Sequence, residues 1–134
     1  MAGFGIHFYA LALAGAVSLS ALAAPPEPPG FQLNGEVERG RAVYLKRCAT
    51  CHGPAGDGRG TLKLKVQPTD FTAPGVLARR SDWELYVVTR DGGKALGLST
   101  VMFGWSKLIS DQEIRDAAAY VRTLAPSPTT MGLR

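Results

Sequence analysis

Two cysteines and a histidine stand close together in the middle of the chain, at Cys48, Cys51 and His52. Residues three positions apart share one face of a helical turn, so both thiols can reach the two vinyl groups on one edge of a porphyrin. The imidazole of the following residue can then lie under the ring and hold the iron as its proximal ligand. Because this is the spacing of covalent haem attachment, we expect one haem c on the two cysteines and His52 on its iron.

Other uses of these residues need partners that the sequence does not supply. A structural zinc site takes four nitrogen or sulfur ligands, but the chain has two Cys and two His, and the second His is His7, in a segment expected to be removed. A thioredoxin-like redox pair belongs at a strand-to-helix junction, and no such pattern is seen. A disulfide at this spacing would be strained and would leave His52 without a role.

The length of 134 residues predicts a single folded domain. All 15 Lys and Arg and all 11 Asp and Glu follow Ala24, so the net charge of +4 belongs to the part of the chain after that residue. The sequence has no basic run with interleaved aromatic residues, which argues against nucleic acid as a partner. A positive surface favours redox protein partners of acidic character.

The first 23 residues carry no Lys, Arg, Asp or Glu and end in the small-residue site Ala21-Leu22-Ala23. This pattern indicates a secretory signal peptide, residues 1–23, although a positive residue near the start is missing. An uncleaved membrane anchor is the alternative, because about 20 apolar residues can span a bilayer. Either version places the rest of the chain in the periplasm or another extracytoplasmic space. Residues 24–34 are proline-rich and predict a stiff, extended linker.

Residues 35–125 predict an all-α domain with three principal helices and long loops around one haem. The first helix is expected from about Gly35 or Glu36 into Cys48. Gly40 within it is either an incidental surface glycine or the place where a second helix crosses and needs backbone contact. The other two helices are each predicted to begin with a capping box, Ser81 with Glu84 and Ser110 with Glu113. Residues 126–134 are expected to form a flexible tail.

The segment 53–60, which follows the Cys-His motif, contains four glycines. No strand precedes it and no Lys-Ser or Lys-Thr pair follows it, so a phosphate-binding loop is disfavoured. We expect a flexible turn that carries the backbone around the haem edge.

The candidates for the sixth iron ligand are Met102 and Met131. Met131 lies close to the end of the chain in a segment rich in Pro and Thr, which is a poor place from which to hold a ligand rigidly. Met102 lies in a glycine-containing loop before the last helix. With no second His available, Met102 is the expected ligand, in the His/Met arrangement that raises the reduction potential.

The chain from about Gly35 to Ala125 resembles the small class I c-type cytochromes, the single-haem bacterial kind. The resemblance is carried by Cys48-x-x-Cys51-His52-Gly53, by Gly40 and Tyr44 before it, and by Met102 and Trp105 followed by the last helix. It implies a cytochrome c-like fold in which Gly40 and Tyr44 of the first helix cross the last helix near Tyr120. It also implies haem packing by Tyr44 and Trp105, and a hydrogen bond from the His52 ring to the carbonyl oxygen of Pro68.

The resemblance implies electron transfer by Fe(II)/Fe(III) cycling, with no reaction catalysed by this chain alone. A proline usually follows the ligand Met in such proteins, and here Phe103 stands in that place. This departure leaves open a catalytic or gas-binding haem domain whose iron has an open position. A haem-bearing subunit of a larger oxidoreductase complex is a further alternative.

Overall fold

The computed structural model describes residues 24–127, and this part of the chain contains helices and no β-strand. The predicted all-α class is confirmed, with a short additional helix, α2, at the Cys-His motif. The predicted signal segment 1–23 and the predicted tail residues 128–134, including Met131, lie outside the described residues. The helices are α1 Val37–Arg47, α2 Ala49–His52, α3 Asp82–Asp91 and α4 Asp111–Thr123, with single 3₁₀ turns at Leu77–Arg79 and Gly93–Leu96.

Helices α1 and α4 cross in close contact. Gly40 lies against the backbone of Asp116, where a side chain on residue 40 would collide with it. One turn later, Tyr44 is fully buried and its ring centroid is 5.2 Å from that of Tyr120. The crossing expected at Gly40 and Tyr44 is therefore present. It fixes the direction of α1 and thereby the position of Cys48, which follows this helix.

Both predicted capping boxes form. The Ser81 hydroxyl accepts a hydrogen bond from the Glu84 amide, and the Glu84 carboxylate accepts one from the Ser81 amide. Ser110 and Glu113 make the same pair of bonds at the start of α4. These bonds satisfy amides that have no partner within the helix, so each helix begins at a defined residue.

The start of α1 is tied to α4 by a buried carboxylate. Asp116 is 1% exposed and accepts hydrogen bonds from the Glu36 amide at 2.7 Å and from Arg39 Nε at 2.8 Å. Burial by itself raises the pKa of this carboxyl, but its hydrogen bonds to Arg39 and Glu36 hold the pKa below its usual value. The ionised form is thus part of the helix crossing.

The proline-rich lead-in, residues 24–34, contains a turn at Pro28–Phe31 and packs onto the domain. The ring of Phe31 lies 4.9 Å from that of Trp83 and 5.4 Å from that of Tyr86. Trp83 Nε1 donates a 2.7 Å hydrogen bond to the carbonyl of Pro25, and Leu33 is buried. Within residues 24–127 no helix is long and apolar enough to cross a membrane.

Candidate haem-binding site

A cavity of about 640 Å³ opens between α1, α3, α4 and the loops that join them. This volume is in the range of pockets that hold cofactors, about 300–1,000 Å³. Its wall includes the three residues of the motif and the predicted sixth ligand, so the structure brings Cys48, Cys51, His52 and Met102 to one space.

Cys48, at the junction of α1 and α2, and Cys51, within α2, present two free thiols. The amides of Cys51 and His52 both donate to the Cys48 carbonyl, at 3.1 and 2.9 Å, which closes the helical turn. The cysteines are not joined in a disulfide. Burial, followed by the neighbouring Cys51, raises the pKa of Cys48 to about 11, so its thiol is protonated at neutral pH.

The glycine loop, residues 53–62, is an ordered cap on α2 and not the flexible turn that its composition predicted. Three of its amides point back at successive carbonyls of the motif: Gly58 to His52 at 2.8 Å, Gly60 to Cys51 at 3.2 Å, and Leu62 to Thr50 at 3.0 Å. The loop thereby satisfies carbonyls that a helix end leaves without partners. A Cβ on Gly60 would lie 2.1 Å from the Thr50 oxygen, so only glycine lets the loop approach this closely.

His52 lies half-buried at the end of α2 with its ring stacked on Phe71. The ring centroids are 4.8 Å apart and the planes differ by 18°. Burial lowers the pKa of His52, although the Thr69 backbone opposes this, which favours the neutral imidazole that ligates metals. Sequence reasoning did not single out Phe71, whose only signal was an aromatic residue three positions after Pro68.

The expected hydrogen bond between His52 and the Pro68 carbonyl is not formed. His52 Nδ1 is buried and has no hydrogen-bond partner among the described residues. The carbonyl of Pro68 instead lies against the glycine loop, 2.5 Å from where a Cβ on Gly58 would be, and the Gln67 side chain donates to the Gly58 carbonyl. Packing against the glycine loop therefore decides the orientation of the Pro68 peptide.

The loop that carries Met102 is fastened to the end of α3. The Gly93 amide donates to the Met102 carbonyl at 2.9 Å, and Phe103 forms an antiparallel bridge with Gly92. Further along, the Trp105 amide donates to the Thr89 carbonyl at 3.0 Å. Backbone bonds on both sides of Met102 thus restrain it in the absence of a following proline.

The two residues predicted to pack on the haem, Tyr44 and Trp105, both line the cavity. The Tyr44 hydroxyl donates a 2.7 Å hydrogen bond to the Gly53 carbonyl, directly after the motif. Burial raises the pKa of this phenol, which keeps it a neutral donor. The Trp105 ring lies 4.8 Å from that of Phe103, which is exposed.

The residues around the cavity fit a covalently bound haem. Two thiols and an imidazole line the cavity, the lining is largely apolar, and a thioether is available from Met102. In residues 24–127 no group of three or more His, Cys, Asp or Glu side chains could hold a bare metal ion. A porphyrin supplies the in-plane nitrogens that the protein does not provide.

A protein-family model described as "Cytochrome C oxidase, cbb3-type, subunit III" matches residues 35–121. The chain belongs to this family of c-type cytochromes. Membership implies covalently bound haem c, in agreement with the donor set of the cavity.

Two curated relatives of this c-type cytochrome are both named "Cbb3-type cytochrome c oxidase subunit CcoP". The protein of Azospirillum brasilense is 32% identical over 87 residues, which is 65% of this chain and 28% of the relative. That of Azospirillum sp. (strain B510) is 33% identical over 97 residues, 67% of this chain and 29% of the relative. The cytochrome thus spans less than a third of the length of these relatives.

Solved structures share the fold of this c-type cytochrome. The KustC0563 c-type cytochrome matches with a TM-score of 0.50 and 20% identity, over 65% of this chain and 98% of that one. A chain of the Kuenenia stuttgartiensis reducing HAO-like protein complex Kustc0457/Kustc0458 matches with a TM-score of 0.54 and 24% identity, over 74% and 46%. At these identities the similarity establishes a cytochrome c-like architecture.

Proposed function

We propose that this chain is a single-haem c-type cytochrome that transfers electrons outside the cytoplasm. One haem c is attached through Cys48 and Cys51, with His52 and Met102 as the axial ligands of its iron. When bound, the haem supplies one-electron exchange between Fe(III) and Fe(II). The observation that carries the proposal is the single cavity that is lined by both cysteines, His52 and Met102.

The protein contributes rigidity and an apolar environment. The glycine loop holds the backbone of the motif, and the end of α3 holds the Met102 loop. Buried side chains such as Leu77 and Leu85 line the same cavity and exclude water from it. Electron transfer requires that the charge on the iron change with little reorganisation of the protein. Rigidly held ligands and an apolar lining that excludes water favour this.

Absorption spectra of the oxidised and reduced protein, combined with the mass of the mature chain, test this proposal. We expect a haem mass added to the polypeptide, a low-spin ferric spectrum and a sulfur-to-iron charge-transfer band. Bare thiols and no added tetrapyrrole, after production in a host that matures such cytochromes, would contradict the proposal.

A second candidate function, a haem-bearing subunit of an oxidoreductase complex, is favoured by the relatives. Both curated relatives are named as subunits of a cytochrome c oxidase. Mild extraction from the native host, followed by size-exclusion chromatography monitored at haem wavelengths, distinguishes the two. A fixed subunit elutes with its complex, whereas a diffusing carrier elutes at the mass of this chain.

A catalytic or gas-binding haem requires an open position on the iron. The anchored Met102 loop argues against this alternative, because both sides of the residue are held by backbone bonds. Carbon monoxide added to the native reduced protein provides the test. Rapid binding without denaturant would favour the open-iron alternative over His/Met ligation.

Basic residues near the cavity suit an acidic redox partner. Arg79 lines the cavity. Earlier in the chain, within residues 59–65, the exposed basic residues are Arg59, Lys63 and Lys65. Arg80 also lines the cavity but is paired with Glu84 at 3.0 Å. Electron-exchange rates with an acidic partner should therefore fall as ionic strength rises, whereas rates that do not depend on salt would remove the steering role.

A further inference from the structure

Among residues 24–127 the His52 ring makes no hydrogen bond of good geometry, although the Thr69 backbone lies close enough to raise the pKa of the imidazole. Its Nδ1 atom is buried without a partner. In metal sites the second ring nitrogen of a ligating His is usually bonded to a carboxylate, a carbonyl or water, and that bond sets the orientation of the ring. The torsion about the Cβ–Cγ bond of His is broad, so some other contact must restrict it here.

Phe71 provides that contact. Its ring lies nearly parallel to the imidazole, with 4.8 Å between centroids and 18° between planes, within the range of favourable aromatic stacking. Rotation of either ring would break the stack. Phe71 also lines the cavity, so it meets the imidazole beside the space into which the thiols of the motif open.

The backbone of Phe71 is itself fixed to the glycine loop. Its amide donates a 2.7 Å hydrogen bond to the carbonyl of Gly56. Just before it, the Asp70 carboxylate accepts from the amide of Thr72 at 2.8 Å and closes a tight turn. The same loop that caps His52 through Gly58 therefore places Phe71, so the imidazole and its stacking partner share one rigid support.

We propose that Phe71 is a positioning residue for the proximal ligand: stacking of its ring on the imidazole restricts the orientation of the His52 side chain. The proposal rests on His52 being an axial ligand, as in the proposed function. It predicts that the aromatic ring matters and that an apolar side chain of similar volume does not replace it.

The test compares three variants of the haem-loaded protein. Phe71→Leu removes the ring and keeps an apolar side chain, whereas Phe71→Tyr keeps the ring. Phe31→Leu makes the same ring-to-aliphatic change in the cluster with Trp83 and Tyr86, away from the cavity lining. Each is examined by electron paramagnetic resonance of the ferric form, by the hyperfine-shifted proton resonances of His52, and by denaturant unfolding.

We expect Phe71→Leu to shift the g values and the His52 resonances, and Phe71→Tyr to restore the wild-type pattern. Phe31→Leu should lower the stability and leave both spectra unchanged. Wild-type spectra in Phe71→Leu would overturn the positioning role, whatever happens to its stability. If the unmutated protein itself shows no signal from an axial imidazole, the proposed function is contradicted instead. The two failures are therefore distinguishable.

Discussion

Gly40 of α1 lies directly against the backbone carbonyl of Asp116 in α4. A Cβ on Gly40 would be 1.9 Å from that oxygen, and 3.0 Å from the Cβ of Tyr120. The two helices can cross at this distance only because residue 40 has no side chain. The crossing sets the direction of α1, and thereby the position of the Cys-His motif that follows it.

Replacement of Gly40 by Ala should destabilise the protein, although Ala is the better helix former. In an exposed helix this change stabilises by about 1 kcal/mol, whereas an added methyl group in a packed contact costs about 1–3 kcal/mol. Denaturant unfolding of the haem-loaded protein measures the sign. Arg41→Ala, at an exposed position on the same helix, is the control, and a Gly40→Ala variant as stable as the wild type would show that the helices can separate at no cost.

Stability should fall in acid as Asp116 becomes protonated. Because the pKa of this carboxyl is lower in the folded protein than in the unfolded chain, its contribution is present above the unfolded value of about 3.9 and is lost as the pH falls through the folded value. Asp116→Asn should lose about 1.5–3 kcal/mol of unfolding free energy at neutral pH, in the range of hydrogen bonds to charged groups.

Unfolding free energies at pH 7 and across the acid range check this effect. The difference between Asp116→Asn and wild type should shrink as the pH is lowered below about 4. Asp91→Asn, which removes a carboxylate paired with Arg90 nearer the surface, should change stability less. An equal loss of unfolding free energy in both variants would mean that burial at the helix crossing does not increase the stability contributed by the Asp116 carboxylate.

Met102→Ala should abolish the sulfur-to-iron charge-transfer band and lower the reduction potential, because a thioether ligand favours ferrous iron. Spectra and potentiometric titration report both quantities. Met131→Ala is the matched control and should change neither. A charge-transfer band that survives in Met102→Ala and disappears in Met131→Ala would reassign the ligand.

Gly60→Ala should reduce covalent haem attachment. The added methyl carbon would lie 2.1 Å from the Thr50 carbonyl, so the glycine loop must move away from the turn that presents Cys48 and Cys51. The ratio of haem-loaded to bare polypeptide, measured by mass spectrometry after expression, gives the yield. Thr61→Ala, at the exposed neighbouring position of the same loop, is the control and should load haem normally. Equal yields would show that the loop is not needed for attachment.

The sequence predicted those features that local chemistry determines. Ser81 with Glu84 and Ser110 with Glu113 marked the helix starts because a capping box is a contact between residues three apart. The spacing of the Cys-His motif gave the haem chemistry, and the resemblance to class I cytochromes placed Gly40 and Tyr44 at the crossing. Each of these expectations depends on few residues and on short separations along the chain.

What the sequence could not predict depends on contacts between distant segments. Proline content predicted an extended linker, but only the folded domain offers Trp83 and Tyr86 for Phe31 to pack between. Glycine content suggested flexibility after the motif, whereas the amides of Gly58 and Gly60 find carbonyl partners that exist only once α2 has formed. The orientation of the Pro68 peptide was missed for the same reason.

The fastening of the Met102 loop to α3 links ligand exchange to local unfolding. The Met102 carbonyl is bonded to Gly93, and the Trp105 amide to Thr89, so the loop and the last turn of α3 form one cooperative unit. Replacement of the thioether by an external ligand must then open this unit as a whole. The rate of such replacement and the hydrogen-exchange rate of the Gly93 amide would rise and fall together.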